Sequence, residues 1–419
     1  MYQPRMSHSG RNERILVLDG GLGTTLEELF QRDIFSPLWS AKPVDEDPEV
    51  IIKAHLAFLR AGADIILTST PVRVRATARH FDVCGVCSYQ CAFETFAASG
   101  YTGEDAVRVM RKSVRLAHEA RRRFYEEQQD NERRERHVKI ALSLGPFGAT
   151  LSPAQEFDGF YPPPYGPSGY SDAPRQSNTN AFPNKSEGHR LRADSVEKLA
   201  EFHLGRLQVF ADDPETWVLI DLVAFETVPL SREVKAIRRA VGKLQKELEG
   251  RGMEMKKWWV STVWPDGRYP EEREPGGERV SPREVVHALL SEDNAETVTQ
   301  EKPRPWGVGI NCTSLDHLAP LLAEFTAGIR HLYSELSDTQ GHKPWLVVYP
   351  NGGDTYDVAR RVWVPTSNGK GDGWAARLWE LANMTAQEER VWDGVVLGGC
   401  CRIGPAEIDA LVRRVLDRA

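Results

Sequence analysis

Gly394-Val395-Val396-Leu397-Gly398-Gly399-Cys400-Cys401-Arg402 joins a short β-branched apolar run to two glycines and two adjacent thiols. A run this short, closed by glycine, reads as a buried strand. Upstream, Trp306–Ile310 is another such run, and it ends in Asn311-Cys312-Thr313-Ser314. Six more complete the set: Ile15–Leu18, Asp64–Thr68, Val138–Leu144, Val218–Phe225, Lys257–Val263 and Trp345–Tyr349. Amphipathic stretches lie between them, at Glu49–Ala61, Ala106–Arg123, Ser195–Ala211, Ser231–Glu249, Pro282–Leu290 and Leu315–Glu324. Alternating strand and helix implies parallel strands joined by crossovers. Eight such units favour a closed (β/α)8 barrel of the TIM type over an open doubly wound sheet. No strand-then-helix Gly-x-Gly-x-x-Gly argues for a dinucleotide fold. One barrel is expected over residues 14–419, after a polar tail at 1–13.

A (β/α)8 barrel builds its active site at the C-terminal ends of its strands. Those ends carry Asp19-Gly20-Gly21, Thr68-Ser69, Gly145-Pro146, Glu226-Thr227, Asn311-Cys312, Pro350-Asn351 and Gly399-Cys400-Cys401. Three thiols on one rim suggest a metal site, since zinc takes Cys sulfur tetrahedrally and catalytic sites keep an open fourth position. Free Cys is also a small buried hydrophobe, and it is the placement of all three at strand ends that favours metal. Neighbouring strand residues face opposite ways, so Cys400 and Cys401 share an ion only if the strand stops there, with Gly398-Gly399 supplying backbone freedom. The three sulfurs are expected within about 4 Å of one another. Turn or N-cap roles compete for Thr227, Ser314 and Asn351. Gly20-Gly21-Leu22-Gly23-Thr24-Thr25 reads as a loop whose N–H groups suit a carboxylate or phosphate, with Asp19 placed for an ammonium.

The chain has 419 residues, 53 basic against 60 acidic, a net charge of −7 and six Cys. No basic stripe points to nucleic acid. No apolar run approaches a membrane span. The start, Met1 to Glu13, lacks the apolar core of a secretory signal, and Asp417-Arg418-Ala419 matches no prenylation or peroxisomal signal. So few Cys argue against a disulfide scaffold and for a reducing, cytoplasmic setting.

Several blocks together resemble the zinc-dependent homocysteine S-methyltransferases, over Ile15 to about Leu416. They are Leu18-Asp-Gly-Gly-Leu-Gly-Thr24, Pro37-Leu-Trp-Ser-Ala-Lys42, Gly62-Ala-Asp-Ile65, Ser143-Leu-Gly-Pro-Phe-Gly148, Ala224-Phe-Glu-Thr-Val-Pro229, Gly309-Ile-Asn-Cys-Thr-Ser314, Val348-Tyr-Pro-Asn351 and Gly398-Gly-Cys-Cys-Arg402. The Pro37–Lys42 block is most like the branch using S-methylmethionine or S-adenosylmethionine. The resemblance implies methyl transfer from a sulfonium donor to a zinc-bound homocysteine thiolate, giving methionine. It implies Zn2+ on Cys312, Cys400 and Cys401, with Asp19 and Glu156 holding the substrate's amino group. Glu226 matches a family acidic position at the end of the fourth strand, its role open between electrostatics and support; with the strand-end residues Gly20, Gly21, Thr68 and Asn311 it is taken as a candidate substrate-binding position. The implied partners are these small molecules, and nothing resembles a cobalamin module.

Four stretches look inserted, near 70–87, 126–136, 160–190 and 364–383. The second is a charge run read as a solvated helix extension. The Pro/Tyr-rich third, after Glu156, is expected to be a disordered loop in preference to a lid, and the fourth a similar loop. Cys84-x-x-Cys87-x3-Cys91 in and after the first insert is read as loop sequence rather than a second metal cluster. The competing functional reading is an inactive zinc- or amino-acid-binding barrel whose pocket is filled by residues 70–87; a purely structural zinc barrel is a third.

Overall fold

The structure, a computed structural model, describes residues 14–31, 41–68, 92–129, 136–173, 177–291, 303–335, 343–357, 362–365, 371–387 and 391–417. The N-terminal tail, Ser69, the 70–87 insert with Cys84, Cys87 and Cys91, and most of the Pro37–Lys42 block lie outside them. The strands are β1 (Ile15–Val17), β2 (Ile65–Leu67), β3 (Lys139–Leu144), β4 (Leu222–Val228), β5 (Lys257–Thr262), β6 (Gly307–Asn311), β7 (Trp345–Tyr349), β8 (Asp354–Asp357), β9 (Val362–Pro365) and β10 (Gly394–Leu397). The helices are α1 (Leu22–Glu28), α2 (Ala41–Glu46), α3 (Pro48–Ala61), α4 (Phe93–Ala98), α5 (Gly103–Gln129), α6 (Ser186–Ala211), α7 (Pro214–Trp217), α8 (Ser231–Gly250), α9 (Pro282–Leu290), α10 (Leu315–Glu335), α11 (Asp372–Ala386) and α12 (Pro405–Leu416).

Eight strands form one parallel sheet in the order β1-β10-β7-β6-β5-β4-β3-β2. A parallel bridge from Leu18 to Ile65 brings the first and last together. This is the expected (β/α)8 barrel. Side-chain alternation along each strand divides the apolar residues into two cores. Leu222, Ala224, Trp259, Val347, Tyr349 and Val396 fill the barrel, while Val223, Phe225, Trp258, Val260, Leu346, Val348 and Leu397 face the helices. The same parity turns Ser143, Glu226 and Ser261 inward, toward Tyr349. No helix among the described residues is long and apolar enough to cross a membrane.

Some expected boundaries move. Val218 is the C-cap of α7 and 68% exposed, so β4 begins at Leu222 and contains Glu226 and Thr227 rather than ending before them. Residues 126–129 do extend a helix, α5. The expected loop at 364–383 is largely α11, which buries Trp374, Leu378, Trp379 and Ala382 at helical spacing. β8 and β9 pair antiparallel ahead of it, a ribbon the sequence reading did not anticipate.

The Pro/Tyr-rich stretch is a packed segment over its described residues, not a disordered loop. Tyr161 is fully buried with Phe182 and Ala181. Tyr165 stacks on Phe147 with ring centroids 3.9 Å apart. Phe147 and Tyr161 pack with Leu199 and Ala200 of α6 and Ala236 of α8. Aromatic side chains give this segment an apolar surface that its polar composition conceals.

Candidate metal and substrate site

Cys312 follows β6, and Cys400 and Cys401 follow β10, at the strands' C-terminal ends. Their sulfurs lie within 4.8 Å of one another and all three are buried. The Cys400–Cys401 pair stands at 3.9 Å. Cys312 and Cys400 are free thiols; Cys401 is disulfide-bonded, so a third thiolate is available only in the reduced protein. Backbone bonds fix the rim: Cys312 N–H donates to the Tyr349 carbonyl at 3.3 Å, and Cys400 N–H to that of Pro350 at 2.9 Å. Adjacent cysteines converge because the chain turns at once, with Arg402 at φ 66°. The turn does not come from flexible glycines, since neither Gly398 nor Gly399 has positive φ. They are glycines because the chains touch: a Cβ on Gly399 would sit 2.1 Å from Ile403 Cγ2, and one on Gly398 2.6 Å from Leu18 Cβ.

Burial, then the adjacent Cys400, push the Cys312 thiol well above its ordinary range. Burial of this kind disfavours the Cys312 thiolate, and a metal ion reverses that by stabilising it. The donor set fits a thiophilic ion such as zinc.

Two carboxylates stand inside the same rim. Asp19 accepts from Leu67 N–H through Oδ2 at 2.9 Å, while its buried Oδ1 has no hydrogen-bond partner among the described residues. Burial, with Glu226 nearby, raises its pKa well above the carboxylate range. A buried carboxylate with one idle oxygen suits an incoming cation. Glu226 accepts from the Ser143 hydroxyl and lies beside Tyr349, whose OH meets Ser261 Oγ at 2.5 Å. Burial pushes Glu226 up to about 7. Glu156 is 4% exposed. Its neighbour Phe157, and Asp19's neighbour Leu18, belong to the packed cluster that holds the three cysteines.

The profile of the homocysteine S-methyltransferase family matches residues 16–415. The chain belongs to that family. It is 29% identical to homocysteine S-methyltransferase 2 of Arabidopsis thaliana, over 96% of this chain and 93% of that one. It is 28% identical to a selenocysteine Se-methyltransferase of Brassica oleracea var. italica, covering 96% and 89%. Among solved structures, the metallated form of the homocysteine methyltransferase MmuM from Escherichia coli aligns with TM-score 0.58 and 26% identity, covering 96% of each chain. The protein is a methyltransferase of this family.

Within this homocysteine S-methyltransferase fold, several candidate residues have structural duties. Gly21 N–H donates to the Ile403 carbonyl at 2.8 Å, so it is not available to an anion. The glycine-rich stretch is not an open loop, because Leu22 to Thr25 are helical. A Cβ on Gly20 would be 2.5 Å from Ile403 O, and one on Gly21 2.7 Å from Cys400 O. Close approach to the cysteine loop requires these glycines. Thr68 Oγ1 accepts from Ser143 N–H at 3.2 Å, which ties β2 to β3.

The Asn311 amide is committed on both sides: Oδ1 accepts from Thr227 N–H at 2.7 Å and Nδ2 donates to Thr227 Oγ1 at 2.7 Å. It holds Thr227 at φ 57° beside Cys312 at φ 48°, conformations rare for such residues. Thr227 is therefore not an N-cap, since α8 starts later, after Leu230. Ser314 does stand just before α10, its Oγ accepting from Asp316 N–H at 3.4 Å.

The sequence reading missed Glu233. This fully buried carboxylate accepts from Phe147 N–H at 2.7 Å, the Tyr161 hydroxyl at 2.7 Å and His203 Nε2 at 3.0 Å. Arg206 Nη2 lies 2.9 Å from His203 Nδ1, and burial holds the imidazole down at about 4. With His203 neutral, Nδ1 accepts from Arg206 and Nε2–H donates to Glu233. One carboxylate thus pins both ends of the segment that carries Glu156. Only its place at the N-terminus of α8, where acids are ordinary, was visible in the sequence.

Proposed function

We propose that the protein transfers a methyl group from a sulfonium donor, S-methylmethionine or S-adenosylmethionine, to the thiolate of homocysteine, giving methionine. The carrying observation is the triad of buried sulfurs beside an Asp19 oxygen with no partner among the described residues. Cys312, Cys400 and Cys401 are the residues that would hold zinc. Bound there, zinc supplies the positive charge that keeps the acceptor sulfur deprotonated at neutral pH, where a free thiol near pKa 8.5 is mostly protonated. Asp19 and Glu156 hold the acceptor's ammonium. Glu226, inside the barrel beside the Ser143 hydroxyl and Tyr349, sets the charge of the pocket under the sulfurs. The transfer needs no general base; proximity and alignment of the two sulfurs supply the rate.

The test is methionine formation from homocysteine with a panel of methyl donors, with bound metal measured on the same reduced sample. Stoichiometric zinc with methionine formed supports the reading. A zinc-loaded protein that makes none is the inactive barrel.

A further inference from the structure

We propose that a cavity on the helix side of the barrel, among α6, α8, α9 and the loop after β5, binds a phosphate group. Bound there, the group tightens the segment that carries Glu156. The cavity is about 380 Å³, and Arg192 of α6, Arg232 and Lys235 of α8 and Arg273 of the loop line it. Its apolar wall, Val196, Val280 and Ala288, packs with the helix-side cores and not with the cluster that holds the three cysteines. Arg232 is 3% exposed. Its Nη1 donates to the Asn180 carbonyl at 2.6 Å and to Glu271 Oε1 at 3.4 Å, while Nε and Nη2 have no acceptor among the described residues. The rings of Tyr161 and Phe182 lie 5.8 and 5.5 Å from its Cζ, and an aromatic face is a weak substitute for an oxygen. A buried guanidinium with idle N–H groups lacks an oxyanion.

The acids lining the cavity are already engaged. Glu271 Oε2 accepts from Ser231 N–H at 2.6 Å, at the start of α8. Glu284 accepts from Arg273 Nη2 at 2.8 Å. Glu272 Oε2 takes the Thr179 hydroxyl at 3.0 Å and Gly276 N–H at 3.1 Å. Among the described residues, Arg192 donates only to the Arg273 carbonyl, at 3.5 Å, and Lys235 has no hydrogen bond or ion pair. Those two unpaired cations match the charge of about −1.5 to −2 on a phosphate monoester, where a carboxylate would answer one of them. Burial lowers the Arg232 pKa, Glu271 opposes this, and the like charge of Arg192 adds to it; a bound anion relieves that repulsion. The link to the segment runs through Asn180. Its carbonyl is held by Arg232, and its Nδ2 donates to the Asp158 carbonyl at 2.7 Å and to that of Pro270 at 2.8 Å. Asp158 is two residues beyond Glu156, and Glu233, next to Arg232, holds Phe147 and Tyr161.

The experiment is calorimetric titration of the reduced, zinc-loaded full-length protein at constant ionic strength. The probes are inorganic phosphate, glycerol 3-phosphate and acetate. One phosphate group per chain is expected, with a Kd of about 1 mM or below. Arg192→Ala and Lys235→Ala are each expected to raise it about tenfold. Lys246→Ala, exposed on the same helix but outside the cavity, should leave it unchanged. Thermal melts check that the variants fold. At about ten times Kd, amide exchange at Phe157 to Tyr161 should slow about tenfold, because opening the segment releases the anion. Tighter binding of the ester points to a phosphorylated small molecule, and tighter binding of inorganic phosphate to the free ion; both support the site. No binding, a Kd unmoved by Arg192→Ala and Lys235→Ala, or an equal loss in Lys246→Ala overturns it. Acetate bound as tightly overturns the phosphate assignment, and phosphate bound with unchanged exchange overturns the link to the segment.

Discussion

Glu233→Ala tests whether one carboxylate outside the metal site holds the substrate-facing segment in place. The substitution deletes the acceptor for the Phe147 N–H, the Tyr161 hydroxyl and the His203 Nε2–H, all buried with Glu233 itself fully enclosed. A buried donor left without a partner costs about 1–3 kcal/mol. Water entering the vacated space recovers part of that, so a loss of about 4 kcal/mol is expected, survivable against a total of about 5–15 kcal/mol. Tyr161→Phe removes a single anchor and is expected to cost about 1–2 kcal/mol. Because residues 147–161 would then be held less firmly, Glu156 should lose its position while the cysteines keep theirs. Urea unfolding measures the first effect. Homocysteine KM and zinc content measure the second: homocysteine KM is expected to rise and zinc content to hold. A Glu233→Ala protein that is destabilised but binds homocysteine normally would refute the positioning argument and leave only a folding role.

Three further outcomes follow from the site. In the metal-free protein, Glu226 is raised from 4.5 to about 7; the folded state keeps a proton the unfolded chain gives up, so stability falls as pH rises through that window, by about 3 kcal/mol at neutral pH. Glu226→Gln should therefore match the wild type near about pH 5 and exceed it near about pH 8, and urea midpoints with the opposite order would reverse the assignment. Asn311→Ala strands the buried Thr227 N–H and should cost about 2 kcal/mol while weakening zinc retention at neighbouring Cys312; unchanged retention during chelator competition argues against the clamp. Gly399→Ala overpacks Ile403 and should cost about 1–3 kcal/mol, whereas Gly373→Ala, with nothing within 4 Å of the new methyl, should be near neutral by thermal melt.

The barrel was legible because each strand is a short apolar run and its residue parity already divides inside from outside. It misled at Val218, where apolar residues in a helix-ending turn run straight into the strand. It misled again at 372–386, where Gly371 and Gly373 hide a helix whose Trp374, Leu378 and Trp379 were the available signal. The three cysteines were legible because thiols at strand ends have few other uses. The clamps were not. Asn311 on Thr227 and Glu233 on Phe147 join residues more than eighty positions apart, and neither residue type announces a partner at that distance. Gly20, Gly21, Gly398 and Gly399 looked like conformational freedom or ligand contact, yet they mark where two loops press together, which no single-chain pattern records.

The most direct measurement is zinc content and methionine formation, on one reduced preparation, for the wild type and for Cys312→Ala, Cys400→Ala and Cys401→Ala. The account predicts about one zinc per chain and methionine formed in the wild type, with neither in any variant and melting little changed, because the thiols stand on the rim rather than in the packing between strands and helices. Full zinc occupancy in the folded Cys400→Ala protein would contradict it.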